Sequence, residues 1–292
     1  MTGVSRLPAW LTRPLSDPVK THRVRQALTD HSLNTVCDEA RCPNRAECFG
    51  RGTATFMILG DVCTRDCRFC AVKHGAPLAP DPGEPARVAA AAKELGLRYV
   101  VVTSVTRDDL EDGGASQFVA TVRALRRELP GAGVELLVPD FEGRPEALER
   151  VIESRPDVIG HNIETVRRLY PEVREAAVYE RSLSVLARVA DSGIVRRAKS
   201  ALMLGLGESR EEVEETLSDL KDAGVAIVCL GQYLRPSSGH RPVSRFVPPE
   251  EFEDLRGRAL EAGFGRVFAG PFVRSSYRAE EGYVERGVGG ER

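Results

Sequence analysis

The sequence lacks any apolar segment long enough to cross a membrane. No run of apolar residues approaches the about 18 that a transmembrane helix requires. Residues 1–8 also lack the apolar core of a secretory signal. These absences predict a soluble, cytoplasmic protein that does not act at a membrane.

An excess of charge of either sign is also missing. Lys and Arg together number 41, and Asp and Glu number 43, so we do not expect a protein that binds nucleic acids or other polyanions. Internal repeats, coiled-coil heptads and low-complexity segments are absent as well. The 292 residues are sufficient for one large α/β domain or for two small domains.

Cysteine is concentrated in one part of the chain. Six of the seven cysteines lie between Cys37 and Cys70. In a reducing cytosol, such a cluster indicates metal or redox chemistry rather than a framework of disulfides. Cys229 stands apart in the apolar stretch 225–230, where we expect it to be a small buried hydrophobic residue on a strand.

The motif CxxxCxxC, formed by Cys63, Cys67 and Cys70, directly follows the apolar run 56–60. Three thiolates in a loop after a strand can converge on one inorganic centre, whereas structural zinc sites and ferredoxin clusters usually take four. A 4Fe–4S cluster with three thiolates keeps one iron open for a ligand. We expect Phe69 to shield one side of such a cluster. A zinc loop or a buried group of cysteines is the alternative interpretation of this spacing.

A second triplet, CxxxxCxxxxxC, is formed upstream by Cys37, Cys42 and Cys48. Its spacing is too irregular for a zinc knuckle, and no nearby histidine completes a tetrahedral site. The triplet therefore predicts a second cluster, whose fourth ligand comes from elsewhere in the chain or is absent.

From residue 56 onwards, short apolar runs alternate with amphipathic helical segments. The sequence predicts strands at 56–59, 99–104, 134–138, 158–160, 201–206, 225–230 and 266–269, and an earlier short helix at 24–28. Repeated strand–helix units predict a parallel sheet that is buried on both faces. The pattern favours a partial or complete (β/α) barrel but leaves an open, doubly wound sheet as an alternative.

Polar residues follow several of the predicted strands. Asn162 and Glu164 come after the fourth strand and Arg107 and Asp108 after the second, at the end of a barrel where catalytic groups gather. The first pair would contact a cofactor, and the second pair a cofactor adduct or the substrate. A structural role explains each of them equally well, and Met203, a candidate for lining an apolar slot, is more typical of a core residue.

CxxxCxxC with an aromatic residue before its last cysteine resembles the radical S-adenosylmethionine (SAM) signature. The two triplets in tandem, with fifteen residues from Cys48 to Cys63, resemble the lipoyl synthase family in particular. Four further stretches resemble that family: GDVCTRDCRFC at 60–70, VTSVTRDDLEDGGA at 102–115, KSALMLGLGE at 199–208 and RSSY at 274–277. Arg278 follows the last motif, where some members have His.

The resemblance implies radical-mediated insertion of two sulfur atoms at carbons 6 and 8 of a protein-bound octanoyl-lysine. It implies that Cys63, Cys67 and Cys70 hold the 4Fe–4S cluster that binds and cleaves SAM. The upstream triplet would hold an auxiliary 4Fe–4S cluster that donates the sulfur. The fourth ligand of the auxiliary cluster would be a serine of the RSSY motif, and we choose Ser275 over Ser276.

The resemblance also implies partners and an organisation of the chain. The substrates would be octanoylated lipoyl carrier domains, namely the acyltransferase subunits of 2-oxoacid dehydrogenases and the glycine cleavage H protein. A ferredoxin or flavodoxin would supply electrons, and another carrier would rebuild the auxiliary cluster. We expect an N-terminal arm and auxiliary-cluster segment at 1–52, a partial TIM-type (β/α) barrel at 53–265 and a closing segment at 266–292.

Three other functions compete with this interpretation. A sulfur-inserting enzyme of the biotin synthase kind would take auxiliary ligands from inside the barrel, whereas this chain has them upstream. An electron carrier with two clusters has no use for a barrel of this size. A zinc-stabilised nucleic-acid-binding module should be basic near its cysteines, yet acidic residues lie among them: Asp38, Glu39, Glu47, Asp61 and Asp66.

Overall fold

The structure of the chain, a computed structural model, describes residues 8–12 and 17–283. The predicted segments 1–52 and 266–292 each include residues outside these ranges. Ten strands are described: β1 Asn34–Thr35, β2 Thr55–Ile58, β3 Val62–Cys63, β4 Lys73–His74, β5 Tyr99–Ser104, β6 Gly133–Leu137, β7 Val158–Gly160, β8 Arg197–Leu204, β9 Ile227–Gln232 and β10 Arg266–Gly270.

Eight of these strands form one sheet in the order β1-β2-β5-β6-β7-β8-β9-β10. All neighbours are parallel except β1, which pairs antiparallel with β2. A doubly wound sheet would reverse its order part-way, whereas here the parallel strands follow the order of the chain. Within the described residues the edge strands β1 and β10 do not pair, so the architecture is an open, partial (β/α) barrel.

The α-helices of the described residues cover the sheet and flank its first strand. They are α1 Pro18–Asp30, α2 Val36–Glu39, α3 Arg45–Gly50, α4 Glu84–Glu94, α5 Ala115–Glu128, α6 Pro145–Glu153, α7 Tyr170–Val173, α8 Tyr179–Asp191, α9 Arg210–Asp222, α10 Pro249–Glu261 and α11 Ala279–Tyr283. Apolar faces of the larger helices pack on the strands in two hydrophobic clusters. No helix within 8–12 and 17–283 combines the length and apolar character needed to span a bilayer.

Local sequence explains several boundaries. The predicted helix at 24–28 is the middle of the longer α1, which begins at Pro18 because the side chain of Asp17 accepts hydrogen bonds from the first turn. Ser209 begins α9 with a capping box that involves Glu212.

Two predicted strands are displaced in the structure. The strand predicted at 225–230 is β9, Ile227–Gln232, and the larger displacement is that of β8. The prediction for β8 began at residue 201, but the strand begins at Arg197 and ends at Leu204. The prediction missed the first four residues of the strand because Lys199 is charged and interrupts the apolar run. In the structure, the charge of Lys199 is paired inside the barrel. The strand stops where Gly205 adopts φ +97°, a conformation that favours glycine.

The segment around α3 and the segment after β10 meet across the open side of the barrel. The side chain of Asn44 donates a hydrogen bond to the backbone oxygen of Phe272 at 2.6 Å. Tyr277 donates to the carboxylate of Glu47 at 2.7 Å. Because the sheet edges are not paired to each other, these contacts join the segment around α3 to the segment after β10.

A buried ion pair crosses the barrel interior. Nζ of Lys199 on β8 lies 2.7 Å from Oε1 of Glu135 on β6, and both side chains are almost fully buried. Tyr99 on β5 donates to the other carboxylate oxygen at 2.7 Å. Three strands are thereby linked by polar groups that satisfy one another.

We predict that Lys199→Met lowers the free energy of unfolding by about 3–5 kcal/mol, because Glu135 is left as an uncompensated buried charge. Lys93→Met is the matched control. Lys93 pairs with Glu128 on the surface, and its loss should cost less than about 1 kcal/mol. Urea unfolding followed by circular dichroism measures both. Equal stabilities of the two variants would contradict the structural role of the pair.

Candidate functional site

A cavity of about 370 Å³ lies at the ends of the strands where polar loops converge. Its walls contain all three cysteines of the upstream triplet and Cys70 of the second triplet. Residues from six other segments complete it, and those relevant to the predicted site are Phe69, Asn162, Glu164, Met203, Cys229, Ser275 and Ser276. The structure thus brings the upstream triplet and the last cysteine of the second triplet to one cavity.

The loop that carries the second triplet is fixed to the end of β5. Backbone N–H groups of Thr106 and Arg65 donate to Sγ of Cys63 at 3.3 and 3.4 Å. The backbone N–H of Thr64 donates to the oxygen of Thr106 at 3.0 Å. These hydrogen bonds to sulfur orient the side chain of Cys63.

Arg65 anchors the same loop from below. Its guanidinium makes a bidentate ion pair with Asp108, at 2.7 and 2.9 Å, and contacts Asp140 at 2.7 Å. Burial alone would raise the pKa of Asp140, but the hydrogen bond and charge of Arg65 outweigh burial and lower that pKa to about 2. The carboxylate of Asp140 is therefore charged at neutral pH. The ion pairs of Arg65 with Asp108 and Asp140 fix the loop to the ends of β5 and β6.

The far end of the loop is held by residues that follow β9. Nε2 of His240 donates to the backbone oxygen of Cys70 at 2.9 Å. The backbone N–H of Arg241 donates to the oxygen of Arg68 at 3.0 Å, and that of Arg68 to the oxygen of Val173 on α7 at 3.1 Å. The three cysteines are consequently held by contacts from several separate parts of the barrel.

The upstream triplet is built on the two short helices α2 and α3. Cys37 lies on α2 and is buried, Cys42 follows α2, and Cys48 lies on α3. The backbone N–H of Cys42 donates to the oxygen of Cys37 at 3.0 Å, which closes the turn between them. The thiol of Cys37 also hydrogen-bonds to Thr55 at the start of β2.

Burial affects the thiols of both triplets. It raises the pKa of Cys37 to about 12, of Cys67 to about 11 and of Cys70 to about 12. Metal ligation requires thiolates, so binding of iron must displace protons from these groups, and affinity must rise with pH.

Across residues 8–12 and 17–283, no three His, Cys, Asp or Glu side chains are arranged to hold a single metal ion. A zinc ion with 2.3 Å bonds would need sulfurs about 3.8 Å apart in a tetrahedron. A cubane cluster binds each thiolate through a different iron and therefore needs wider spacing. The donor set, three thiolates in each group and all of them free of disulfides, suits such clusters.

Asn162 and Glu164 meet at the end of β7, as the sequence indicated. Nδ2 of Asn162 donates to the carboxylate of Glu164 at 3.0 Å, and its Oδ1 is buried without a hydrogen-bond partner. Glu164 adopts φ +65°, which is rare for a residue with a side chain and is typical of functional sites. Burial raises the pKa of Glu164. The pair offers free acceptors to a ligand in the cavity.

Arg174 is a site residue that sequence reasoning missed. Its Nη1 donates to the backbone oxygen of Asn162 at 3.0 Å, and its Nε is buried without a hydrogen-bond partner. Its charge acts on both Glu164 and Cys67. No motif surrounds Arg174 in the sequence, because it lies in a loop after the four-residue helix α7.

The RSSY segment crosses the end of β9 to reach the cavity. A side chain at Gly231 would lie 2.0 Å from the backbone oxygen of Val273, so only glycine permits this approach. Oγ of Ser275 then accepts a hydrogen bond from Asn162 at 3.4 Å. Ser275 and Ser276 both line the cavity. The position of Ser275 beside Asn162 was not evident from sequence.

Arg107 and Asp108, which the sequence left between two roles, have structural partners. Arg107 is buried and pairs with Asp109, and Asp108 pairs with Arg65. Cys229 is buried, as expected, and burial raises its pKa to about 11. It also lines the cavity, as does Met203, and this position was not foreseen for Cys229.

Comparison with known proteins identifies the family. The Radical SAM superfamily model matches residues 57–220. A lipoyl synthase of Pyrobaculum calidifontis is 55% identical over 284 residues, which cover 96% of this chain and 97% of that protein. A lipoyl synthase of Symbiobacterium thermophilum is 53% identical, covering 95% of this chain and 87% of that protein. The chain belongs to the lipoyl synthase family.

Solved radical SAM enzymes share the lipoyl synthase fold described here. Methylornithine synthase has a TM-score of 0.53 at 17% identity, covering 88% of this chain and 86% of that chain. SuiB of Streptococcus suis bound to SAM has a TM-score of 0.58 at 12% identity, covering 73% and 49% of the two chains. These similarities confirm the predicted partial barrel.

Membership of the lipoyl synthase family confirms several predictions together. The chain is an enzyme, a radical SAM sulfurtransferase, and its cofactors are 4Fe–4S clusters and SAM. Lipoyl synthases act on octanoylated carrier proteins. The biotin synthase, zinc-module and electron-carrier interpretations are therefore set aside.

Asp140→Asn should weaken the loop that carries the second triplet, because Arg65 loses one of its two charged partners. We predict that unfolding becomes easier by about 3 kcal/mol and that iron is released to a chelator faster. Asp81→Asn removes the exposed partner of Arg87 and should change stability by less than about 1 kcal/mol. Wild-type iron retention in Asp140→Asn would show that Asp140 does not secure the loop.

Proposed function

We propose that this lipoyl synthase divides its two triplets by role. Cys63, Cys67 and Cys70 hold the cluster that binds and cleaves SAM. The upstream triplet, with Ser275, holds an auxiliary 4Fe–4S cluster that donates sulfur to carbons 6 and 8 of octanoyl-lysine. The single observation that carries this proposal is the common cavity, which Cys70, the upstream triplet and Ser275 all line.

Two centres that face one cavity suit the chemistry. Cys63, Cys67 and Cys70 would hold the group that supplies the radical chemistry needed at an unactivated carbon, and the upstream triplet with Ser275 would hold the group that supplies the sulfur. The residues of the chain hold both groups at one substrate, which converts separate encounters into reaction within one complex.

Asn162, Glu164 and Arg174 would bind the amino-acid part of SAM. The carboxylate of Glu164 and the free Oδ1 of Asn162 accept hydrogen bonds, as an amino group requires. The guanidinium of Arg174, whose Nε lacks a hydrogen-bond partner, would face the carboxylate of SAM. Both free atoms are buried, so a ligand that pairs with them recovers the cost of their burial.

The octanoyl chain would occupy the apolar part of the cavity. Leu137, Ala201 and Met203 line this part, each on the inward face of its strand. Apolar walls with a few placed polar groups are the usual composition of a small-molecule site. Enclosure by α2, α3 and the RSSY segment excludes water from the substrate carbons.

The natural substrates would be the octanoylated acyltransferase subunits of 2-oxoacid dehydrogenases and the glycine cleavage H protein. Arg41 and Arg235 are exposed and line the cavity, so they place positive charge where a carrier would approach. A ferredoxin or flavodoxin would reduce the SAM cluster, and a separate carrier would restore the auxiliary cluster. We propose that the enzyme acts in the cytoplasm and involves neither nucleic acid nor a membrane.

The proposed division of the chain follows the same roles. Residues 1–52 supply the auxiliary triplet, 53–265 form the radical SAM barrel, and 266–292 carry the RSSY motif. The hydrogen bonds between Asn44 and Phe272 and between Glu47 and Tyr277 support a first and a third segment that act together.

The assignment of roles is tested by two triple variants of the reconstituted enzyme. Replacing Cys63, Cys67 and Cys70 by Ala should leave about half of the about eight iron atoms that two clusters contain and abolish 5′-deoxyadenosine. Replacing the upstream triplet should also halve the iron but preserve SAM cleavage, while no sulfur enters an octanoyl-lysine peptide. Full SAM cleavage by the first variant would contradict the assignment.

The choice of Ser275 is tested against its neighbour. Ser275→Ala should retain iron at both sites and cleave SAM but form little lipoyl product, whereas Ser276→Ala should stay active. A serine oxygen is a harder ligand than the three thiolates and should be displaced more easily when sulfide is released. Ser275→Cys should therefore hold the cluster and release sulfur poorly. Activity in Ser275→Ala with loss in Ser276→Ala would reverse the choice.

A further inference from the structure

The inner end of the cavity is marked by a change in the residues that face into the barrel. Side chains two residues apart on a strand point to the same face. On β6 Leu137 lines the cavity but Glu135 does not, and on β8 Ala201 lines it but Lys199 does not. The cavity therefore ends between these two levels of the barrel.

Ala201 and Cys229 lie side by side at this end. They are register partners on the adjacent strands β8 and β9, both are buried, and both line the cavity. The layer behind them is the Lys199–Glu135 ion pair with the hydroxyl of Tyr99. Separating or desolvating that pair is costly, so the layer forms a fixed floor.

The upstream triplet reaches the same end of the cavity. Thr55 and Cys37 both belong to its lining, and the thiol of Cys37 hydrogen-bonds to Thr55. Thr55 is the register partner of Val101, which in turn pairs with Glu135, so Thr55 lies at the level of the floor. An acyl chain that stops at Ala201 and Cys229 would therefore have its last carbons near Thr55 and Cys37. Insertion of sulfur at carbon 8, the terminal carbon, requires the chain to stop at a defined depth.

We propose that Ala201 and Cys229, supported by the Lys199–Glu135 pair, form a stop that sets the length of the acyl chain this enzyme accepts. The inference rests on the proposed binding of an acyl-lysine in the cavity. Cys229 acts through its volume and not through thiol chemistry. A chain longer than octanoyl would meet the stop before its lysine amide reached the normal position, and its carbons 6 and 8 would be displaced.

The test is a series of fluorescent peptides whose central lysine carries hexanoyl, heptanoyl, octanoyl, nonanoyl or decanoyl. Anisotropy measures their binding to the reconstituted enzyme with SAM. In the wild type, affinity should rise about fourfold per methylene up to octanoyl, because each methylene leaves water, and should stop rising at nonanoyl. The readout is a dissociation constant and does not depend on turnover.

Two variants should move the acyl length at which affinity stops rising, in opposite directions, and a third should leave it unchanged. Cys229→Ala removes one sulfur atom from the stop, so the rise should continue to nonanoyl. Ala201→Val adds volume, so the rise should end at heptanoyl. Cys229→Thr replaces the thiol by a methyl and a hydroxyl group of nearly the same total volume and is the matched control, for which affinity should still stop rising at octanoyl. Circular dichroism and iron content identify a variant that has failed to fold, and the remaining opposite variant still tests the direction.

Each outcome supports or overturns the proposal. If the affinity of the wild type stops rising at octanoyl, and this limit moves in Cys229→Ala or Ala201→Val, the stop is supported. A wild-type rise that continues to decanoyl, or a limit unmoved by folded variants, overturns it while leaving the octanoyl substrate intact. If the limit moves in Cys229→Thr as it does in Cys229→Ala, the volume of Cys229 does not set it, and the proposed role of volume is overturned. If no acylated peptide binds better than the unacylated one, the proposed substrate and the stop both fail.

Discussion

The open barrel is the constraint on which the site depends. A sheet that ends at β1 and β10 without pairing its edges must cover them with other parts of the chain. The segments around α3 and after β10 are hydrogen-bonded across this opening, through Asn44 and Tyr277. These segments also carry the upstream cysteines and the RSSY serines. The contacts that cover the open side of the barrel therefore also bring the upstream cysteines and the RSSY serines to the cavity.

The second triplet depends on electrostatics instead. Its loop leaves β2, and Arg65 fixes it by ion pairs to Asp108 and Asp140, which follow the next two strands along the sheet. A buried guanidinium with two carboxylates leaves one net negative charge beneath the loop, and Arg181 lies 3.3 Å from Asp140 to offset it. This support adds no sulfur to the second triplet. Its effect is to fix the loop that carries the three sulfurs, which would lower the cost of ordering that loop around a cluster.

Sequence alone located both triplets, the parallel strands and the residues at their ends, because each leaves a local pattern of spacing or alternation. What it missed depends on contacts between distant residues. Lys199 is charged, so the sequence predicted that the strand begins after it. Its place inside the barrel depends on the ion pair with Glu135, which is far away in the chain. Arg174 belongs to no motif, and Arg107 and Asp108 could be assigned to structural roles only once Asp109 and Arg65 were seen beside them. The two-residue strands β1, β3 and β4 are too short to show any period.

The remaining question is why a stable enzyme tolerates polar atoms without partners. Among the described residues, five buried side-chain atoms lack a hydrogen bond, and those of Asn44, Asn162 and Arg174 are three of them. Each such group costs about 1–3 kcal/mol. Asn44 and Asn162 line the cavity, and Arg174 is bonded to the backbone of Asn162. Three of the five unpartnered atoms thus belong to residues at or beside the cavity. A ligand that supplied the missing partners there would recover as affinity part of the free energy lost in folding.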